Sequence, residues 1–77
     1  MNISQKDFAN IVSNAIDENG EMAWKDVQFL AVKFCDFNPD DHANGWMPIR
    51  DALQIAINAG LIRRTKDVHK EVYEAAY

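Results

Sequence analysis

Apolar residues recur three and four positions apart in three stretches of the chain, a spacing typical of amphipathic helices. The first stretch begins after Ser4, whose hydroxyl can cap a helix, and it ends at the turn signal Asn19-Gly20. Its predicted buried face consists of Phe8, Ile11, Val12, Ala15 and Ile16, with Ser13 among the residues of the opposite, polar face.

The second stretch, from about Ala23 to Cys35, has more apolar positions than one buried face requires. Its predicted stripe consists of Trp24, Val27, Leu30, Ala31 and Phe34. Phe29, Val32 and Cys35 fall outside that stripe, so this helix is apolar on more than one side. We expect these residues to extend the core. The alternative is that an exposed Phe29 marks a contact surface.

The third stretch, Met47 to Arg64, has the clearest beginning and end. Pro48 suits the first position of a helix, where its missing N–H costs nothing, and Gly60 suits the left-handed position that follows a helix. The predicted buried stripe consists of Ile49, Ala52, Leu53, Ala56 and Ile57. Residues 36–46, which contain Pro39 and Asn44-Gly45, are predicted to form a loop. We expect Phe37 and Trp46 to pack back onto the core.

The end of the chain leaves two possibilities open. Residues 61–65 are predicted to be extended. Residues 66–77 fit a helix capped by Thr65, which the helix propensity of Lys, Glu and Ala favours, or a second strand that folds back over residues 61–65. The chain is therefore predicted to be a single, mainly α domain over residues 1–77. It has three to four helices in a helix-turn-helix-like arrangement, with a small β-hairpin over residues 61–77 as the alternative to the fourth helix.

Composition and charge narrow the functional classes. A 77-residue chain with 48% hydrophobic residues can form one small core. The single cysteine indicates a reducing, cytoplasmic setting, and no signal peptide or membrane-spanning run is visible. The net charge is −4, of which residues 1–46 carry −5 and residues 47–77 carry +1. This balance argues against strong non-specific nucleic-acid binding, because such proteins are usually basic.

The residues that could support catalysis or metal binding do not form a recognisable motif. Asp36, Asn38, Asp40 and Asp41 resemble a calcium loop in composition only, because neither the required Gly nor the bidentate Glu is in place. His42, His69 and Cys35 lack the spacing of a zinc site. No nucleophile elbow, phosphate-binding loop or metalloprotease motif is present. We therefore expect no enzymatic activity, no cofactor and no bound metal.

One polar ridge lies on the predicted third helix. Arg50, Gln54 and Asn58 recur every four residues, and side chains of these types can read base edges. The basic residues that follow are Arg63, Arg64, Lys66 and Lys70. The passage AINAGLIRRT resembles the recognition helix and first wing strand of winged helix-turn-helix domains. This resemblance implies that the ridge contacts DNA and that Arg63, Arg64 and Lys66 hold the phosphate backbone of the DNA. An ordinary solvated helix face is the alternative.

Two functions follow from these observations. The first, which the acidic charge favours, is a small non-enzymatic regulator that binds a larger protein partner or itself. It would be an inhibitor or adaptor of the kind that phages and other mobile elements encode. The residues predicted to bind the partner are Phe29, Asp36, Asp40, Asp41 and Trp46. The second function is a DNA-binding regulator that uses the third helix.

Overall fold

The computed structural model describes residues 3–67 and 69–77. Within these residues it contains three helices and a sheet of three short strands. The elements are α1 (Gln5–Asn19), β1 (Glu21–Ala23), α2 (Trp24–Cys35), α3 (Met47–Asn58), β2 (Ile62–Arg64) and β3 (Val72–Ala75), with a 3₁₀ turn at Pro39–Asp41. The prediction of a small, mainly α domain is confirmed at this level.

Local signals fix both ends of α1. The Asp7 backbone N–H donates to Ser4 Oγ at 3.1 Å, so Ser4 caps the first turn as predicted. At the other end Gly20 adopts a positive φ of 89°, and its N–H donates to the Ile16 carbonyl at 2.7 Å. Phe8, Val12 and Ile16 are buried, whereas Ile11 and Ala15 of the predicted face keep partial exposure.

Small side chains lie between α1 and α3, and these two helices share the most extensive contact of any pair of elements in the described residues. Ala9 and Ser13 of α1 are buried, as are Ala52 and Ala56 of α3. The assignment of Ser13 to the polar face of α1 was therefore wrong. The buried face of α1 is rotated toward these small residues because they permit close approach of the helix backbones.

A Schellman motif ends α3, as the position of Gly60 predicted. The Leu61 N–H donates to the Ala56 carbonyl and the Gly60 N–H donates to the Ile57 carbonyl, each at 3.0 Å. Gly60 has a φ of 75°. Pro48 lies in the first turn, one residue later than predicted, because the helix already begins at Met47. Of the predicted stripe, Ile57 alone is partly exposed and the other residues are buried.

The segment after α3 forms a hairpin, so the favoured helix over residues 66–77 was wrong. Strand β3 pairs antiparallel with β2 on one edge and with β1 on the other, in the order β1-β3-β2. Tyr73 lies opposite both Met22 and Arg64, and its side chain is buried. A helix would leave both neighbouring strands without backbone partners. Val68, on the face of the predicted helix, lies outside the described residues.

The loop between α2 and α3 is held by aromatic packing. Phe37 is buried, its ring centroid lies 5.2 Å from that of Trp46, and His42 stacks on it at 4.9 Å. Trp46 in turn meets Trp24 edge-on at 5.9 Å. The predicted inward packing of Phe37 and Trp46 is confirmed. It fixes a connection that is long for a small helical domain.

Replacing Gly60 by Ala should lower the free energy of unfolding by about 1–2 kcal/mol, the cost of a left-handed backbone for a residue with a Cβ. No heavy atom lies within 4 Å of the added Cβ, so the loss reports backbone strain and not a clash. Gly60→Asn is the matched control, because Asn tolerates this conformation and should lose less. Urea unfolding followed by tryptophan fluorescence measures both. Equal losses in the two variants would contradict the assignment.

Candidate functional site

Helix α2 turns only a narrow stripe toward the core. Its buried residues among those described are Val27, Ala31 and Cys35, which follow one another at four-residue intervals. Phe34 is 76% exposed and Phe29 is 59% exposed, and Val32 is also exposed. The predictions that Phe29, Val32 and Phe34 belong to the core were therefore wrong, and the exposure of Phe29 agrees with the alternative. A helix that is apolar around most of its circumference can bury only the side that faces the rest of a small domain.

Phe34 forms one wall of an apolar groove between α1 and α2. The groove has a volume of about 390 Å³. Its lining, which defines the α1–α2 groove below, consists of Ile11, Asn14, Ala15, Glu18, Leu30 and Phe34. Four of these residues are apolar, and the polar pair, Asn14 and Glu18, comes from α1. The groove is therefore an exposed apolar surface with one acidic side chain at its edge.

Phe29 belongs to a different side of the same helix. It lies five residues before Phe34, which places the two side chains about 140° apart around the helix axis. Asp36, the residue that follows α2, ends the helix with a left-handed φ of 53°. Helix α2 thus carries two separate exposed aromatic side chains.

The other predicted protein-binding residues are divided between surface and core. Asp40 and Asp41 are exposed in the 3₁₀ turn, where the Asp40 N–H donates to Asn38 Oδ1 at 3.0 Å. Trp46 is half-buried against Phe37, so it stabilises the loop. Sequence reasoning missed Phe34. The surplus of apolar positions on α2 was the available signal, but it does not say which of them face solvent.

The predicted ridge on α3 is solvent-exposed, but its arginine is already engaged. Arg50 Nη1 donates to Glu71 Oε1 at 2.6 Å, and Nη2 donates to Oε2 at 3.3 Å. The Arg50 guanidinium also lies 4.1 Å from the centre of the Trp24 ring, a cation–π contact. Gln54 Nε2 donates to Asn58 Oδ1 at 2.9 Å. The ridge residues are therefore paired with neighbours in the same chain.

Glu71 is the centre of this arrangement. It also accepts a hydrogen bond from the Tyr73 hydroxyl at 3.1 Å. The hydrogen bond from Arg50 lowers the pKa of Glu71, and the same bond raises the pKa of Arg50. Burial raises the pKa of Tyr73, and the neighbouring Glu71 carboxylate adds to that shift. The Arg50–Glu71 pair thus links α3 to the hairpin, and its two opposite charges cancel.

A second ion pair neutralises the charge of Arg63 in β2, the first strand of the hairpin. Arg63 lies opposite Glu74 in the strand register, and its Nη2 donates to Glu74 Oε2 at 2.9 Å. Arg64 and Lys66 are exposed and make no salt bridge to any described residue. We call Arg50, Gln54, Asn58, Arg63, Arg64 and Lys66 together the α3–hairpin face. Glu71 and Glu74 were missed because their positions depend on a hairpin that the sequence left open.

Three further findings concern metal binding, thiol reactivity and membrane spans. Among the described residues no group of three or more His, Cys, Asp or Glu side chains could hold a metal ion. Cys35 is buried, and burial together with the nearby Asp36 raises the pKa of its thiol, which disfavours the reactive thiolate. No helix in the described part of the chain is long and apolar enough to cross a bilayer.

The Arg50–Glu71 pair should make stability depend on pH. The pKa of Glu71 is lowered in the folded state, so the contribution of the pair is complete above the ordinary Glu pKa of about 4.3. It is lost as the pH falls through the lowered value. Because Arg50 is 44% exposed, Glu71→Gln should cost only about 0.5–1 kcal/mol at neutral pH. That difference should shrink toward zero in acid.

Urea unfolding of wild type and Glu71→Gln across this pH range measures the effect. Glu74→Gln is the matched control, because the Arg63–Glu74 pair is more exposed and should contribute less. A difference between wild type and Glu71→Gln that stays constant down to the acid limit would contradict the assignment.

Comparison with known proteins assigns no family to this chain, since no protein-family profile, curated protein or solved structure matches it significantly. The chemistry of two surfaces therefore supports the functional proposals: the α1–α2 groove, which is apolar with an acidic edge, and the α3–hairpin face, whose arginines are partly neutralised.

Proposed function

We propose that this protein is a small non-enzymatic module that binds a larger protein partner through α2 and the α1–α2 groove. The exposure of Phe34, 76% on the wall of an apolar groove, is the observation that carries the proposal. Aromatic side chains dominate the energetics of protein interfaces. In the folded domain most of the Phe34 ring stays in water, so its burial can contribute free energy only when another molecule covers it.

Covering Phe34 can contribute a substantial binding free energy. Fully burying a phenylalanine side chain contributes roughly 1.5–3 kcal/mol relative to leaving it exposed. Phe34, Leu30 and Ile11 lie around one groove, so a single partner element can cover them together. Phe29, on another side of α2, offers a second contact region, and Asp36 is exposed at the end of the helix. A regulator of the inhibitor or adaptor type needs such a surface and no catalytic group.

A second candidate function is DNA binding through the α3–hairpin face. It is supported by the order of the elements, α1-β1-α2-α3-β2-β3, and by the sheet order β1-β3-β2. This arrangement is what a winged helix-turn-helix domain would require, with α3 as the recognition helix and the β2–β3 hairpin as the wing. Arg64 and Lys66 are the basic residues on this face for which no salt bridge is found among the described residues.

Charge makes DNA binding the weaker candidate. Arg50 and Arg63, which the DNA-binding function would place on bases and phosphates, are paired with Glu71 and Glu74. A guanidinium held by a carboxylate must exchange that partner for a phosphate, and the freed carboxylate then repels the DNA. The net charge of −4 adds a long-range repulsion.

Replacing Phe34 by Ser should abolish capture of the specific partner by the immobilised protein from a lysate of the source cells. The measurement is the loss of a defined protein identified by mass spectrometry. Ile55→Ser is the matched control, because Ile55 is also an exposed apolar residue but lies on α3. Phe29→Ser reports on the other side of α2. Retention of the same proteins by both phenylalanine variants would contradict the proposal.

Thermal unfolding is the folding control for these variants. Surface substitutions usually change the free energy of unfolding by less than about 0.5 kcal/mol, so each variant should unfold near the wild-type temperature. A variant that does so but no longer captures the partner has lost a binding contact and not its fold.

For the DNA-binding function, replacing both Arg64 and Lys66 by Ala should weaken binding to a pool of duplexes. It should also lower the salt dependence of the binding constant by roughly two phosphate contacts. Lys25→Ala, Lys33→Ala on α2 is the charge-matched control. Electrophoretic mobility shifts at low and moderate salt measure the binding and its salt dependence. Absence of any salt-sensitive shift for the wild-type protein would rule out this function.

A further inference from the structure

We propose that the α1–α2 groove binds a basic amphipathic helix of the partner, with apolar side chains in the groove and lysines or arginines against its acidic surroundings. This inference rests on the proposed protein-binding function and adds the chemistry of the partner. It follows from two features: the apolar lining of the groove, which includes the acidic Glu18, and the net negative charge of residues 1–46, which contain both groove helices.

The lining favours an apolar helix face. Ile11 and Ala15 come from one side and Leu30 and Phe34 from the other, so the apolar surface runs between two helices. A groove of this type is typically filled by an amphipathic helix whose anchors recur at three- and four-residue intervals. The exposed Phe34 ring would lie between two such anchors. The small side chain of Ala15 allows a partner residue to approach α1 closely.

The charge favours basic residues on the partner. Residues 1–46, which contain both groove helices, hold eight acidic residues against three lysines. Both salt bridges found among the described residues lie within residues 47–77, so the acids of the groove half make no internal ion pair there. Glu18 lines the groove itself. A basic residue on the partner would pair with this carboxylate while the partner's apolar side chains fill the groove.

The same charge argues against a second copy of this chain as the occupant. In a twofold dimer the same surface patch lies on both sides of the interface. Pairing the groove with itself would bring the Glu18 side chains of two copies to one interface, within segments that each carry a net charge of −5. Like charges facing each other across an interface cost free energy, so the apolar gain of covering Phe34 would be opposed by repulsion.

Three synthetic peptides of about 18 residues, roughly five helical turns, test the inference. The first has leucines on one face and lysines on the other. The second replaces its lysines by glutamates. The third has the composition of the first in an order without an apolar face. Fluorescence anisotropy of labelled peptides at low and physiological salt gives the affinities, and chemical-shift changes of the labelled protein give the site.

We expect the amphipathic lysine peptide to bind with shifts centred on Ile11, Ala15, Leu30 and Phe34. Phe34→Ser should weaken binding about tenfold or more, as for an interface anchor. Glu18→Gln should weaken it a few-fold, and mainly at low salt, where charge attraction is least screened. Ile55→Ser should leave binding unchanged, and the other two peptides should bind much more weakly.

Several results would overturn the inference. Equal binding of the glutamate peptide would remove the charge argument, and binding that survives Phe34→Ser would be non-specific attraction to an acidic protein. Sedimentation showing a wild-type dimer that Phe34→Ser dissociates would make a second copy the occupant. If no peptide binds while Phe34→Ser still loses a captured partner, the basic-helix inference fails and the protein-binding function stands. If neither effect is seen, both fail.

Discussion

Strand β3 is the element on which the rest of the structure depends, because it is paired on both edges. Its partners come from opposite parts of the chain: β1 follows α1 directly, and β2 follows α3. Backbone hydrogen bonds continue the pairing beyond the strands, from the Trp24 N–H to the Glu71 carbonyl at 2.8 Å and from the Thr65 N–H to the Val72 carbonyl at 2.9 Å. In a domain with so small a core, the backbone pairing of this one strand is important for holding the elements together.

The same strand pairing decides which surface is open to a ligand. It places Glu74 opposite Arg63, and it places Glu71, just before β3, beside Arg50. The hairpin therefore contributes the carboxylates that pair with Arg50 and Arg63 of the α3–hairpin face, whereas Arg64 and Lys66 have no salt bridge among the described residues. The α1–α2 groove receives no such counterpart, because α1 packs closely on α3 and leaves its other flank facing α2. Part of the α3–hairpin face is thus paired within the chain, whereas the apolar α1–α2 groove is left uncovered.

Local chemistry made the helices predictable, whereas pairing between strands distant in sequence left the end of the chain open between a helix and a second strand. Ser4, Gly20 and Gly60 act on residues within a few positions of themselves, so their effects can be read without knowing the fold. The register that joins Met22 to Tyr73 depends on tertiary structure, and the segment around Tyr73 has good helix propensity when considered alone. For the same reason the ion pairs of Glu71 and Glu74 could not be anticipated.

The exposure of Phe34 and the net charge of the chain are best understood together. Apolar spacing showed that α2 could be buried on several sides, but only the completed fold determines that Val27, Ala31 and Cys35 face inward. An exposed aromatic groove promotes indiscriminate association, which a net charge away from zero opposes. Under the proposed protein-binding function, the acidic charge of residues 1–46 would have two effects. It would oppose pairing of the uncovered apolar surface with a second copy, and it would favour a partner of opposite charge.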